Sequence, residues 1–139
     1  MQHSLSRLVA ILHRNHAMYV NRVLKPWNIT SGEVGFLMTL YQEEGRTQEQ
    51  LSSILSIDKA AATRALTSLQ DKGYIQRRVN EQDKRCKCIY LTQKAKELRQ
   101  VITTQVRTWN SKAANLIGES TYDQLCLSLE TILSNEKAE

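Results

Sequence analysis

Apolar residues recur at helical spacing at both ends of this chain and switch to shorter, mixed spacing in the middle. From Ser4 to about Lys25, Leu5, Leu8, Val9, Leu12, Tyr19 and Val23 fall near one stripe, which Ile11 and Met18 widen. A face this wide on an end segment exceeds what one neighbour covers, so packing against a partner helix is expected. Lys25-Pro26-Trp27-Asn28 ends the helix, because proline restrains the residue before it and lacks an N–H for the ladder. Trp27 is expected to seal this corner against the core. Thr30 or Ser31 caps the next helix; with Thr30 as cap, Glu33 is its capping-box partner. Val34, Leu37, Met38, Leu40 and Tyr41 supply the buried side through about Gln42. Gly32 and Gly35 weaken that helix, so either its start is loose or another element packs closely on it. Glu43 to Arg46 is a turn, with room for a very short strand at Arg46.

The middle of the chain, Thr47 to Thr92, packs several elements into little length. Thr47 caps a short helix with Gln50 at the box position and Leu51, Ile54 and Leu55 as its apolar marks. After a break at Ser56-Ile57-Asp58, Asp58 caps a second helix to about Lys72, with Ala62, Ala65, Leu66 and Leu69 on one side. Gly73 stops it. Tyr74 to Val79 and Cys86 to Leu91 read as strands joined by the charged turn Asn80 to Arg85. Two adjoining helices followed by a basic hairpin form a winged helix-turn-helix pattern.

Thr92 caps a long helix from Gln93 to roughly Ile117, marked by Ala95, Leu98, Ile102, Val106, Trp109, Ala113, Leu116 and Ile117. At 1.5 Å per residue this is a rod of about 37 Å, longer than a compact helix-turn-helix domain needs. Gly118 stops it, and Ser120, with Asp123 in the box position, is expected to cap a last helix striped by Leu125, Leu129, Ile132 and Leu133. The predicted fold is mainly α with a small β-hairpin (α+β). Residues 29–92 form the winged lobe, and residues 1–28 and 93–139 form a helical dimerisation region. Leu5, Leu8, Leu12, Leu125, Leu129, Ile132 and Leu133 are its candidate contacts across a two-fold axis.

Composition narrows the function. The 139 residues suit one domain with a modest core, and 41% hydrophobic with 24% charged residues is ordinary for a folded chain. No apolar run approaches membrane-spanning length and no signal peptide opens the chain, so a cytoplasmic protein without membrane contact is expected. Cys86, Cys88 and Cys126 are an odd number with no Cys-x-x-Cys pair, which suggests free thiols in a reducing compartment and gives no zinc pattern. His13 and His16 have metal-compatible spacing, but no carboxylate or thiol sits at a matching position in their segment. No metal site and no cofactor is expected. An enzyme finds no support either: there is no nucleophile beside a base, no phosphate-cradling loop and no paired carboxylates beside a histidine.

Charge changes the picture most. The chain carries 19 Lys and Arg against 14 Asp and Glu. Eight of those cations, against four acids, lie between Asp58 and Thr92, while the last helix is acidic. A basic hairpin beside a helix with a small-residue outer face is suited to phosphate contact and groove entry, so double-stranded DNA is the expected partner. On the second helix, Lys59, Ala60, Thr63, Arg64, Thr67 and Ser68 face away from the core; on the hairpin, Asp83, Lys84, Arg85 and Lys87 join them. Alanines let the backbone approach, threonines and arginine reach base edges or phosphates, and Arg85 at the tip suits a minor groove. Asp83 orients Arg85, since a carboxylate among phosphates repels. A winged helix that binds another protein is the alternative, separable by its weak salt dependence.

The order and spacing of Leu51 to Ile57, Ala61-Ala62-Thr63-Arg64-Ala65-Leu66, Leu69 to Ile75, and Asp83-Lys84-Arg85 running into Leu91-Thr92 resembles the MarR family of bacterial and archaeal transcriptional regulators. The likeness covers nearly the whole chain, and Asp83 and Arg85 match the family's Asp-x-Arg wing. Ala95 stands near where many members have glycine, which favours the helix there. The resemblance implies a triangular homodimer, with terminal helices joining the protomers and one helix per lobe in the major groove of a pseudo-palindromic operator. It also implies a repressor answering to a small aromatic or phenolic effector. The effector cleft would be lined by the first helix, by Val34 to Tyr41 and by the start of the long helix, with Arg14, Tyr19 and Tyr41 as polar handles. A peroxide-sensing branch uses a cysteine in the first helix, which this chain lacks; Cys86 and Cys88 near the wing leave oxidative control there as an alternative.

Overall fold

The computed structural model describes residues 3–138. In chain order the elements are α1 (Leu5–Val23), a 3-10 turn (Lys25–Trp27), α2 (Ser31–Gln42), β1 (Arg46–Thr47), α3 (Gln48–Leu55), α4 (Lys59–Asp71), β2 (Ile75–Val79), β3 (Lys87–Leu91), α5 (Gln93–Glu97), α6 (Arg99–Ile117) and α7 (Glu119–Ala138). The fold is mainly helical with a small antiparallel sheet, as the sequence predicts. The hairpin gains β1 as a third strand, in the order β1-β3-β2, with Ile89 opposite both Arg46 and Arg77.

The chain divides into two compact units, one ending at Gln105 and the other beginning at Val106. In the first, α2 is the central helix. Val34, Phe36, Leu37, Leu40 and Tyr41 are buried, a broad face that reaches several neighbours. Around it lie Val20 and Leu24 from the end of α1, Ile29, Leu51, Ala62, Leu66, Leu69, the strand residues Ile75, Ile89 and Leu91, then Ala95 and Ile102. Leu55 of α3 lies against Gly35, 3.6 Å from where a Cβ would be, an ordinary contact that would also admit a side chain's first carbon.

Several expectations change. Only Val20 is buried within α1, whereas Leu5, Leu8, Val9, Leu12 and Met18 are exposed, Met18 to 70%. The stripe is real, but nothing in its own unit covers most of it. Ile54 is likewise exposed, and Met38, Ala65 and Trp27 are only half-buried. The long helix is not continuous. At Leu98 the backbone N–H bonds back three residues to the Ala95 carbonyl, which also accepts the Tyr41 hydroxyl at 2.5 Å. A side chain entering the ladder interrupts the helix there.

Segment 88–95 closes the first unit. Gly45 N–H donates to the Ile89 carbonyl at 2.9 Å, and Leu91 N–H donates to Glu44 Oε1 at 2.7 Å. The Thr92 hydroxyl donates to the Gly73 carbonyl at 2.6 Å, and Lys94 Nζ donates to the Lys72 carbonyl at 2.7 Å. These bonds meet the free carbonyls at the C-terminal end of α4.

In the second unit the rest of α6 and α7 meet at Gly118, whose φ of +88° suits glycine. α7 starts at Glu119 with Tyr122 N–H bonded to the Gly118 carbonyl, so Ser120 lies inside the first turn and is not the cap. Leu125, Leu127, Ile132 and Leu133 are exposed, Leu129 half-buried.

Candidate nucleic-acid interface

Local hydrogen bonds set the α3–α4 pair. Gln50 N–H donates to Thr47 Oγ1 at 3.2 Å while Thr47 N–H donates to Gln50 Oε1 at 2.9 Å, the reciprocal box expected from sequence. Ser56, at φ +53°, ends α3 in a left-handed turn, and Ile57 N–H returns to the Ser52 carbonyl. Asp58 Oδ1 then accepts from Ala61 N–H at 2.8 Å and starts α4.

α4 is divided lengthwise. Ala62, Leu66 and Leu69 are fully buried, while Lys59, Ala60, Thr63, Arg64 and Thr67 are exposed and Ser68 half-buried. The expected DNA-facing residues therefore form one ridge. A cavity of about 460 Å³ runs beside it, lined by Thr30, Glu33, Ile57, Ala61 and Arg64 among others.

The C-terminal end of α4 is anchored by a pair that sequence reasoning did not foresee. Lys72 Nζ donates to Glu33 Oε1 and Oε2 at 2.8 and 2.9 Å and to the Asn28 carbonyl at 2.6 Å, using all three ammonium protons. Glu33 also accepts from Thr30 N–H and Oγ1, so the capping-box carboxylate has a second task. Burial pushes the Glu33 carboxyl up, yet hydrogen bonds from Lys72, Ser68 and Thr30 outweigh it and hold the group below its ordinary value. Glu33 was visible as a cap and Lys72 as a charge, but their pairing spans 39 positions and leaves no local signal.

A second cluster joins α3, α4 and β2. Gln48 Nε2 donates to Thr63 Oγ1 at 2.7 Å, Arg77 Nη1 donates to Gln48 Oε1 at 3.1 Å, and Arg77 Nε donates to Gln70 Oε1 at 3.1 Å. Sequence reasoning counted Arg77 as general charge and missed both glutamines. On the neighbouring strand position, the Arg78 guanidinium lies 4.5 Å from the centre of the Tyr90 ring.

The wing tip, residues 80–86, is folded by its own polar groups. Asn80 N–H donates to the Cys86 carbonyl, and Asn80 Oδ1 accepts from Gln82 N–H. Asp83 Oδ1 accepts from Arg85 N–H at 3.1 Å and from Arg85 Nε at 3.3 Å. Those two bonds, backbone first, hold the Asp83 carboxyl below its ordinary value. Asp83 thus orients Arg85, whose side chain remains 91% exposed beside exposed Lys84 and Lys87.

The suggested effector handles do not share one of these cavities. Tyr19, half-buried, donates to the Gln105 carbonyl at 2.7 Å and lines a depression with Asn15, Met18 and Arg22. Tyr41 is bonded to Ala95 and lines another with Glu44, Lys96 and Arg99, while Arg14 is exposed and lines neither. Among the described residues no group of three or more His, Cys, Asp or Glu could hold a metal, and no helix is long and apolar enough to cross a membrane.

Comparison with known proteins supplies the lineage. Residues 29–87 match the model of the MarR family. The chain is 26% identical over 129 residues to the HTH-type transcriptional regulator BilQ of Clostridioides difficile, covering 93% of this chain and 87% of that one. A MarR transcriptional regulator from Methanosarcina mazei superposes with a TM-score of 0.88 at 31% identity, covering 96% of both chains. The MepR–DNA complex of S. aureus gives a TM-score of 0.86 at 24% identity, over 96% of this chain and 99% of that one. Shared fold and shared sequence over almost the whole length lead to one assignment: this chain belongs to the MarR family of transcriptional regulators.

Proposed function

We propose that the chain is a cytoplasmic homodimer that binds a pseudo-palindromic site in double-stranded DNA and represses transcription until a small aromatic or phenolic effector releases it. One observation carries the DNA reading: α4 is fully buried along Ala62, Leu66 and Leu69 and exposed along Lys59, Thr63, Arg64 and Thr67. A helix so held presents a polar, basic ridge with small residues, the surface that a major groove accepts. Arg85, exposed and aimed by Asp83, supplies a cation at the wing for the flanking minor groove. That the MepR structure is a DNA complex supports DNA as the partner here.

The dimer is supported by apolar residues that a lone chain leaves in water: Leu5, Leu8 and Leu12 on α1, and Leu125, Ile132 and Leu133 on α7. The effector rests on family membership. Any ligand at Tyr19 or Tyr41 meets hydroxyls already bonded to backbone carbonyls and must share or displace them.

The test is to recover bound fragments from a genomic library and titrate one against a scrambled duplex at several salt concentrations. Specific binding with a steep loss of affinity as salt rises is expected. Equal, salt-insensitive affinity for both duplexes would overturn the reading in favour of a protein-binding winged helix.

A further inference from the structure

Thr63 stands in the centre of the exposed ridge of α4, and its hydroxyl is already committed. Thr63 Oγ1 donates its single proton to the Lys59 carbonyl at 2.9 Å, one turn earlier. It accepts from Gln48 Nε2 at 2.7 Å. A hydroxyl has one proton and two lone pairs, so one lone pair is left, together with the methyl group.

The orientation of the Gln48 amide is fixed from both sides. Arg77 can only donate, so the atom facing its Nη1 must be the amide oxygen. That turns the NH2 toward Thr63, which has no proton to offer because Lys59 holds it. Arg77 is itself held by Gln70 through Nε, which closes the chain of bonds back onto α4. Four side chains from α3, α4 and β2 thus agree on one set of donors and acceptors.

We propose that Gln48 is a specificity-setting residue of the DNA interface, a positioning group whose bond holds the Thr63 side chain in the rotamer that gives its proton to Lys59 and leaves one lone pair and the methyl group for a base. This rests on the DNA-binding reading above and refines it. Thr63 so held can meet the amino group of adenine or cytosine, or the thymine methyl. It cannot donate to guanine O6 and N7 or to thymine O4 without breaking its bond to Lys59. Base choice under Thr63 is therefore set by the Lys59 carbonyl, which takes the proton, and by a residue on the preceding helix, which keeps the side chain in that rotamer.

The experiment enriches duplexes from a random-sequence pool with the wild-type protein, Gln48→Ala and the size-matched Gln48→Met, then measures selected and scrambled duplexes across a salt series with melting curves alongside. Removing the Gln48 donor should relax the preference at one base pair per half-site, cutting the selected-to-scrambled ratio roughly 5- to 10-fold. The other positions, the salt slope and the melting temperature should stay as in the wild type. An unchanged preference in both variants would overturn the proposal, as would a uniform loss of affinity with a lowered melting temperature, which is what a merely structural clamp gives. Failure of the wild-type protein to enrich any duplex would instead overturn the DNA-binding reading on which this one rests.

Discussion

Lys72 and Glu33 form a partly buried ion pair in which every ammonium proton has a partner: both Glu33 oxygens within 2.9 Å and the Asn28 carbonyl at 2.6 Å. The pair fixes the end of α4 to the start of α2. Glu33→Ala leaves the ammonium without its counter-charge. Its cost should be about 2–3 kcal/mol, below the range for a fully buried pair because 19% of the Lys72 side chain meets water. The depressed carboxyl also gives a sign for acid. Its stabilisation is full above the unfolded-state value and is lost as pH falls through the lower folded one. Melting curves at decreasing pH should converge for wild type and Glu33→Gln; curves that stay parallel would show that the pair does not titrate with folding.

Arg85→Ala should weaken binding to all duplexes alike and reduce the salt slope by about 1. Asp83→Ala should act in the same direction but less, because it frees the arginine without removing it. Titration of one selected and one scrambled duplex at several salt concentrations reads both effects. Unchanged affinity and slope in Arg85→Ala would take the wing out of the interface.

Leu12→Asp on α1 and Leu133→Asp on α7, made separately, should each shift the mass from twice 15.9 kDa toward a single chain. Sedimentation at micromolar concentration measures this. A wild-type protein that sediments as a stable monomer under those conditions would remove the dimer.

Thiol chemistry should not be the switch. The Asp83 carboxylate beside Cys86 pushes its thiol up, followed by the effects of burial and the hydrogen bond to Asp83, so little reactive thiolate forms near neutral pH. Cys88 is buried. Alkylation of Cys86 should be slower than that of a free cysteine and should accelerate in Asp83→Asn. Replacing Cys86, Cys88 and Cys126 with serine should leave DNA binding intact; loss of binding on peroxide treatment in the wild type alone would contradict this.

What the sequence made legible is mostly what closes within four residues. The caps at Thr47, Asp58 and Thr92 each bond a backbone N–H three positions on, so residue type and spacing revealed them. The outer ridge of α4 was equally readable, because a committed apolar side defines its opposite. Phe36 fell outside the expected stripe because the buried face of α2 extends past Leu40 on that side, against neighbours that the helix's own spacing does not announce. The break at Leu98 depends on a bond from Tyr41 to a carbonyl 54 positions later, that of Ala95, and the Gln48–Arg77 link spans 29. The stripe on α1 was located correctly, yet periodicity marks an apolar face without saying which molecule covers it.

Segment 88–95 has a consequence for the order in which this protein is made. A ribosome releases α2, α3, α4 and β2 well before it, yet the Lys72 and Gly73 carbonyls at the end of α4 wait for Lys94 and Thr92. Glu44 waits for Leu91, and the Tyr41 hydroxyl waits for Ala95. A nascent chain halted at Lys87 holds the α4 ridge in sequence but not in a closed lobe, and its central helix lacks the strand and turn that seal it. The bonds around α2 are therefore complete only once the chain has run past the wing to Ala95, and the α4 ridge stands on a finished lobe only as the next helix begins.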